Sequence, residues 1–315
     1  MGKLAFVFPG QGSQYVGMGQ DIVEAYPDAK DIFQAADERL GFSLSDIIFN
    51  GPDDTLTLTE NTQPALLTVS TALMRIMQRE GLTPDYAAGH SLGEYSALVA
   101  AGALSFEDAV FAVRQRGQFM AQAVPAGEGS MAAVMGLKAD SLTELCEQVT
   151  SSGESVQLAN INSTSQIVIS GTAKGVEQAG ELAKEKGAKR VIPLNVSGPF
   201  HSSLMKPAAD QLSTVLNDID IQEAECPVIA NVTADVVTSS DNIYQRLIEQ
   251  LYSPVRWVES VETMKASGVD TYIEIGPGKV LSGLIKKVDR RAAIYQVNDV
   301  ASLQETLNAI KEGEA

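Results

Sequence analysis

The chain reads as an α/β protein with a mostly parallel sheet, interrupted by a smaller inserted subdomain. Three observations carry that reading. Short apolar strands alternate with amphipathic helices over most of the 315 residues, the pattern of a sheet covered on both faces. From Gly129 to about Ser197 the rhythm changes to β-α-β-β-α-β, the order of a ferredoxin-like unit. Gly127-Glu128-Gly129 and Ser197-Gly198-Pro199 punctuate the two ends of that stretch. The expected division is a large α/β domain of residues 1–127 and 199–315, with an insert of residues 128–198.

The first strand is expected at Leu4–Phe8, an apolar run that stops at Pro9-Gly10-Gln11-Gly12-Ser13-Gln14. Helical spacing follows over Asp28–Leu40 and Pro64–Gly81, where Leu66, Leu67, Leu73, Ile76 and Met77 mark the apolar positions of the second helix. Pro84 precedes a short strand at Tyr86–Ala88, then Gly89-His90-Ser91-Leu92-Gly93 and a helix over Glu94–Ala101. A further helix runs from Phe106 to about Val124 and ends before Pro125 and Gly127. The insert reads as strand Met131–Met135, helix Ala139–Val149, strand Ser155–Ile161, a hairpin turn over Asn162–Ser165, strand Gln166–Ser170, helix Ala173–Lys186 and strand Arg190–Leu194. Beyond it come helices Met205–Leu216, Ile243–Leu251, Val258–Ala266, Val280–Val288 and Ser302–Lys311, interleaved with strands Val228–Asn231, Thr271–Ile275 and Ala293–Val297.

Composition narrows the function. Lys and Arg total 23 against 40 Asp and Glu, a net charge of −17, which argues against nucleic acid as the main partner because phosphate binding needs a positive footprint. No apolar stretch reaches the length of a membrane span, and Phe6 stands where a myristoylation signal needs Ser or Thr. A cytoplasmic protein is expected. Cys146 and Cys226 lie far apart in no metal or redox spacing and are expected to be structural thiols. With two histidines besides, a Cys/His metal site is not expected.

The strongest local signal is Gly89-His90-Ser91-Leu92-Gly93, a G-x-S-x-G between an expected strand and an expected helix. Such a turn lifts the serine hydroxyl clear of the sheet, beside the positive end of a helix. The string by itself also fits a plain glycine-rich turn. A serine is a weak nucleophile until a base takes its proton, and neutral imidazole suits that task near pH 7. His90 adjoins Ser91, and alternation at a strand end should point it to the opposite side. His201, in Val196-Ser197-Gly198-Pro199-Phe200-His201, falls where the insert rejoins the large domain, and a cleft between domains suits a base.

An oxyanion hole needs two N–H donors aimed at the developing charge. In elbow enzymes of the hydrolase-like fold one comes from the residue after the nucleophile, here Leu92, and the other from a loop after an early strand, a place that Gly10-Gln11-Gly12 fits. As a phosphate-binding loop the same segment fails, because Tyr15 stands where a third glycine belongs and no Gly-Lys-Ser/Thr follows.

Phe8-Pro9-Gly10-Gln11-Gly12-Ser13-Gln14, Gly89-His90-Ser91-Leu92-Gly93-Glu94, Gln115-Arg116-Gly117 and His201 together resemble the malonyl-CoA:acyl carrier protein transacylase family of bacterial fatty acid synthesis. Asn160-Ile161-Asn162, Gln250 and Glu274-Ile275-Gly276-Pro277-Gly278 add to the match, which runs in order from residue 3 to beyond 285. The resemblance implies an active site in the cleft between the subdomains, malonyl-CoA as substrate, acyl carrier protein as acceptor, and no cofactor or metal. It also assigns roles that spacing does not. On spacing alone Arg116 is a solvated charge on a helix. The resemblance makes it the partner of the malonyl carboxylate, which a guanidinium binds through two parallel hydrogen bonds. The backbone carbonyl near Gln250 is implied to orient the histidine, so no triad acid is sought. Gln11 and Leu92 carry over as oxyanion donors, and Asn160 and Asn162 as cleft-lining polar residues.

The same resemblance implies that Phe200 helps select malonyl over methylmalonyl, but one methyl is worth at most about 3 kcal/mol, so this position does not by itself set strict specificity. An acidic carrier needs a local basic surface. Lys184, Lys186, Lys189 and Arg190 form one such cluster, and Lys286, Lys287, Arg290 and Arg291 another; each also reads as a solvated helix face. The alternative activity is a serine hydrolase, which shares elbow and base but has no use for Arg116. A scaffold on the same fold would lack the serine or the histidine, and both are present.

Overall fold

Ala5 and Val7 alternate with Phe6 and Phe8 along strand β1 (Lys3–Phe8), and all four are buried, so both faces of this strand are covered. The computed structural model describes residues 2–196 and 198–313; Ser197, expected at the end of the insert, lies outside the described residues. Helices α1 (Gln20–Ala25), α2 (Pro27–Leu40), α3 (Leu44–Asn50), α4 (Asp53–Thr57) and α5 (Thr59–Arg79) follow β1, then β2 (Tyr86–Gly89), α6 (Gly93–Ala100) and α7 (Phe106–Gln122). Next come β3 (Gly129–Met135), α8 (Ala139–Ser151), β4 (Val156–Ser163), β5 (Gln166–Thr172), α9 (Ala173–Glu185) and β6 (Arg190–Pro193). A 3₁₀ turn at Ser203–Met205 leads into α10 (Lys206–Asn217), β7 (Val228–Ile229), β8 (Val236–Val237), α11 (Ser240–Gln250) and α12 (Trp257–Ala266). β9 (Val269–Ile275), α13 (Val280–Val288), β10 (Ala293–Val297) and α14 (Val300–Lys311) close the chain.

The larger sheet has six strands in the order β10-β9-β1-β2-β7-β8. Every pairing in it is parallel except β7 with β8 at one edge, the mostly parallel sheet that the alternating elements predict. Phe6 and Phe8 join the core beneath α2, α5, α6 and α7, whereas Ala5 and Val7 pack with Trp257, Val261, Leu281 and Ile285 on the opposite side. The second sheet has four antiparallel strands in the order β4-β5-β3-β6. With α8 and α9 on one face and their own apolar cluster, that is the ferredoxin-like arrangement. Its other face turns toward the larger sheet, where Met131, Ala133 and Val168 join the main core.

The two sheets are stitched together at β4. Ile161 N–H donates to the Val255 carbonyl, and Val255 N–H donates to the Ala159 carbonyl, each at 2.8 Å. β4 accordingly runs to Ser163, two residues beyond the expected end, and the hairpin turn shrinks to Thr164 and Ser165. Asn162 is therefore a strand residue rather than a turn residue. β7 is shorter than expected, because the chain turns back after Ile229 to pair with β8, a two-residue strand with no signal of its own. Helices α1, α3 and α4 likewise leave no trace in the sequence pattern; at six, seven and five residues they are too short to show a 3.6-residue period.

Helix α5 begins five residues before Pro64 and passes through it. Proline has no N–H, so the Glu60 carbonyl four residues earlier loses its helical donor. Arg114 of α7 supplies one, its guanidinium donating to Glu60 O at 2.7 Å. This predicts a coupled pair of substitutions. Arg114→Ala should lower stability by about 1–2 kcal/mol by stranding that carbonyl. Pro64→Ala should recover part of the loss, since the new N–H can reach Glu60 O. A double-mutant cycle by thermal unfolding measures the coupling, and strictly additive effects would rule it out.

Candidate active site

The site grows from a crowded turn. Between β2 and α6 the backbone folds so sharply that a Cβ on Gly89 would lie 1.9 Å from the Gly93 carbonyl, and one on Gly93 would lie 2.1 Å from the Phe8 oxygen. Ser91 between them takes a left-handed conformation, φ 53°, which a non-glycine residue holds only where its surroundings enforce it. Asn231, just past the end of β7, does much of the enforcing. Its side chain accepts from Ser91 N–H and donates to the Gly89 carbonyl, both at 2.7 Å. The sequence gives one faint signal for Asn231, a polar residue after a short apolar strand of a parallel sheet, where ligands gather at the carboxyl ends of strands.

Ser91 Oγ lies 2.8 Å from His201 Nε2, and His201 Nδ1 lies 2.8 Å from the Gln250 main-chain oxygen. A carbonyl only accepts, so Nδ1 carries the proton and Nε2 is left as the acceptor for the serine hydroxyl. His201 too is left-handed, φ 58°. Its loop is held from the four-stranded sheet by Gln157, whose amide donates to the His201 and Tyr252 carbonyls at 3.3 Å each and accepts from Ser203 N–H at 2.9 Å. No spacing or motif marks Gln157. Burial, followed by the nearby Arg116 charge, pushes the His201 pKa down to about 3, so the imidazole is neutral at physiological pH. His90 makes no hydrogen bond to the serine side chain; its Nε2 sits 2.8 Å from Asn162 Oδ1 and its ring packs near Trp257.

Arg116 departs most from what spacing alone suggests. It is 1% exposed rather than solvated, because α7 is pressed onto α5 at Gly117, where a Cβ would lie 2.6 Å from Glu60 Cα. One guanidinium nitrogen donates to Ser91 Oγ at 3.1 Å and to Gln250 Oε1 at 2.8 Å, and the other donates to Gln63 Oε1 at 2.6 Å. Its Nε has no partner, and among the described residues no carboxylate forms an ion pair with it. Burial lowers its pKa from the ordinary arginine value, with Tyr95 and Glu94 acting in the opposite sense. Gln63 and Glu94 complete the surroundings. Glu94, 2% exposed, accepts from Gln250 Nε2 at 2.6 Å and from Asn231 N–H at 3.2 Å, and burial pushes its pKa up to about 7. In the sequence it looks like any acid in the first turn of a helix, and Gln63 like any polar residue on α5, so neither stands out.

Ser91, His201 and Arg116 border a cavity of about 120 Å³, which Gln11, Leu92, Asn160 and Phe200 also line. Leu92 is the N-cap of α6, where the first main-chain N–H groups have no partner inside the helix. Gln11 is fixed by its side-chain amide, which donates to Thr59 Oγ1 at 3.1 Å, and a Cβ on the adjacent Gly10 would lie 2.5 Å from the His90 oxygen. The loop after β1 thus lies directly against the serine turn. A second cavity of about 310 Å³ shares Gln11, His90, Asn160 and Leu194 with the first and continues past Asn162 and Gln166 to Val280, Leu281 and Leu284 of α13. The Glu274 carboxylate caps α13, accepting from the N–H groups of Leu281 and Ser282 at 2.9 and 2.7 Å. Gly276 packs against Pro9, which brings the Gly-Pro-Gly turn up to the loop after β1. Cys146 is buried and Cys226 half-buried, both unpaired and away from this site. No cluster of His, Cys, Asp and Glu suited to a metal occurs among the described residues.

The arrangement places a hydroxyl, a neutral imidazole bonded to it and a buried cation around one small cavity, groups that acyl transfer through an ester can use. Comparison with known proteins points the same way. Residues 5–309 match the acyl transferase domain family. A malonyl CoA-acyl carrier protein transacylase of Bacillus subtilis is 60% identical over 99% of this chain and 98% of its own length. One from Staphylococcus aureus is 48% identical over 96% and 98%. Among solved structures, an acyl carrier protein S-malonyltransferase of Vibrio cholerae superposes with a TM-score of 0.94 at 50% identity, covering 96% of this chain and 99% of that one. A malonyl-transacylase in complex with a type II PKS acyl carrier protein gives 0.94 at 45% identity, covering 97% and 99%.

The depressed His201 pKa has a consequence for stability. The unfolded chain takes up a proton there near pH 6.5, while the folded chain does not until about pH 3. Stability is therefore lost progressively as pH falls from 6.5 through about 3, at up to ~1.4 kcal/mol per pH unit from this one group. His201→Gln should flatten that decline. Thermal midpoints of parent and variant from pH 7 to pH 4 should converge or cross on the acid side, and parallel curves would show that the imidazole is not held neutral.

Proposed function

We propose that this chain, which belongs to the acyl transferase domain family, moves a malonyl group from malonyl-CoA to the phosphopantetheine thiol of holo acyl carrier protein, supplying fatty acid synthesis. The single observation that carries this reading is Arg116: a guanidinium 1% exposed, 3.1 Å from Ser91 Oγ, paired with no carboxylate among the described residues. An unpaired buried charge is costly, and a carboxylate arriving on the acyl group would relieve that cost beside the nucleophile. A serine hydrolase would use the same serine and histidine but gives this cation no task.

In the reaction we propose, Ser91 Oγ attacks the thioester carbonyl of malonyl-CoA while His201 Nε2 takes the hydroxyl proton. The Gln250 carbonyl, 2.8 Å from Nδ1, steadies the imidazolium that forms. The oxyanion rests on the main-chain N–H groups of Gln11 and Leu92, and a donor of this kind is worth about 10²–10³ in rate. Collapse expels the CoA thiolate, which takes the proton from His201, and leaves malonyl esterified to Ser91 with its carboxylate on Arg116. The carrier thiol then attacks the ester and the steps run in reverse. Asn160 and Asn162 line the path that the pantetheine chain follows, and Phe200 crowds the inner cavity. No step needs a cofactor; malonyl-CoA enters as substrate. We place the enzyme in the cytoplasm, and no helix among the described residues is long and apolar enough to cross a membrane.

Intact-protein mass after brief mixing with malonyl-CoA tests the reading. The parent should gain a malonyl adduct and pass it to holo carrier protein, and Ser91→Ala should gain none. Arg116→Ala should load malonyl about 10²–10³-fold more slowly, the scale of a lost buried charge partner at about 3–4 kcal/mol. Free malonate without transfer would favour the hydrolase instead. For the carrier, the cluster on α13 is the better placed of the two basic clusters, because Lys287 Nζ reaches Gln166 Oε1 at 3.4 Å on the wall of the outer cavity. Lys287→Glu should slow transfer to the carrier several-fold at low salt and leave loading from malonyl-CoA unchanged. Equal transfer rates would move the docking surface elsewhere.

A further inference from the structure

A buried acid beside Ser91 has no task in the proposed reaction. Glu94 stands in the first turn of α6, three residues after the nucleophile, with its carboxyl group turned inward. A surface acid there would serve the helix dipole from solvent. Glu94 is instead 2% exposed, and burying a carboxyl group is expensive unless its oxygens are matched by donors.

Those donors form a chain that ends at Arg116. Gln250 Nε2 donates to Glu94 Oε2 at 2.6 Å, and Gln250 Oε1 accepts from Arg116 at 2.8 Å. A glutamine amide has a donor end and an acceptor end of nearly the same shape, so something must decide which end faces the cation. Presenting its NH₂ to the guanidinium would set donor against donor. Glu94 Oε2 also receives Asn231 N–H at 3.2 Å. Together with the Ser91 carbonyl, which takes a second bond from Gln250 Nε2 at 3.0 Å, it claims the donor end of the amide. Only the acceptor end is then left for Arg116. On the far side the Gln63 oxygen holds the other guanidinium nitrogen at 2.6 Å, so two amide oxygens set the plane of the guanidinium against Ser91.

We propose that Glu94 is a positioning residue: through the Gln250 amide it keeps Arg116 aimed at the acyl group on Ser91, and so sets the preference for a carboxylate-bearing acyl group over an uncharged one. This rests on the malonyl reading of the site. An amide at position 94 has nearly the same shape but offers an NH₂ as readily as an oxygen, so it no longer dictates the orientation of Gln250. The loss should fall on substrates that use Arg116 and spare those that do not.

The test is acylation of Ser91 by malonyl-CoA and by acetyl-CoA, measured in the parent and in Glu94→Gln. The expected result is a fall of about tenfold or more in kcat/KM for malonyl-CoA, carried mainly by KM, the scale of a weakened hydrogen bond to a charged group. Acetyl-CoA should be used within about twofold of the parent rate, so the malonyl-to-acetyl ratio drops. Equal losses with both donors, or an unchanged ratio, would overturn the proposal in favour of a purely structural acid. Should Glu94→Gln not fold, Gln250→Met keeps the main-chain carbonyl for His201 while removing the amide, and must show the same drop in ratio for the proposal to stand. A parent enzyme with no preference for malonyl would sink the underlying reading and this proposal with it.

Discussion

Everything at the site depends on the close passage of three backbone segments. The end of β1, the turn after β2 and the first residue of α6 approach so closely that Gly10, Gly89 and Gly93 admit no side chain. That contact forces Ser91 out of the usual backbone regions and places its hydroxyl at the carboxyl end of the parallel sheet. It also brings Gln11 and Leu92 to the same small cavity from different parts of the chain. The strain at Ser91 is sustained by the Asn231 side chain, which ties the start of the turn to its middle. Fold and chemistry meet in that one knot.

Electrostatics decides what the knot is good for. His201 and Arg116 are both buried; burial and the Arg116 charge make the imidazolium harder to hold, and burial alone weighs against the guanidinium. The balance falls on the arginine, because guanidinium keeps its proton under conditions where imidazole gives it up. The result is a neutral imidazole, its Nε2 beside the Ser91 hydroxyl, next to a cation that never releases its proton. Amide side chains solvate the cation without adding charge: the Gln63 and Gln250 oxygens both accept from the Arg116 guanidinium. The glutamic acid behind Gln250 gives that set of amides its direction.

Much of this was visible in the residues, and the remainder was hidden for definite reasons. The G-x-S-x-G string exposed the serine turn because its glycines answer a steric demand that leaves a trace in one short window. The insert was legible because its order of strands and helices differs from that of the surrounding chain. Arg116 was not legible from spacing, since nothing within α7 tells that α5 lies across it; only likeness to a family supplied a role for it. Asn231, Gln157 and Gln63 reach the site from 140, 66 and 28 positions away from Ser91 along the chain, by differences in residue number, and each is an unremarkable polar residue in its own neighbourhood. Long-range hydrogen bonding leaves no local pattern. The two-residue β8 and the helices of five to seven residues escaped because they are shorter than the periods that would reveal them.

The stitch at β4 limits how the protein can receive its substrates. Two main-chain hydrogen bonds join β4 to Val255, and Gln157 grips the loops of His201 and Tyr252 from the same strand. Swinging the four-stranded sheet aside would break these bonds and shift His201 away from Ser91. The gap between the sheets is therefore a fixed aperture rather than a jaw. A bulky donor or acceptor must stay outside and send its reactive end inward on a slender tether, so arm length, as well as chemistry, becomes a criterion for admission.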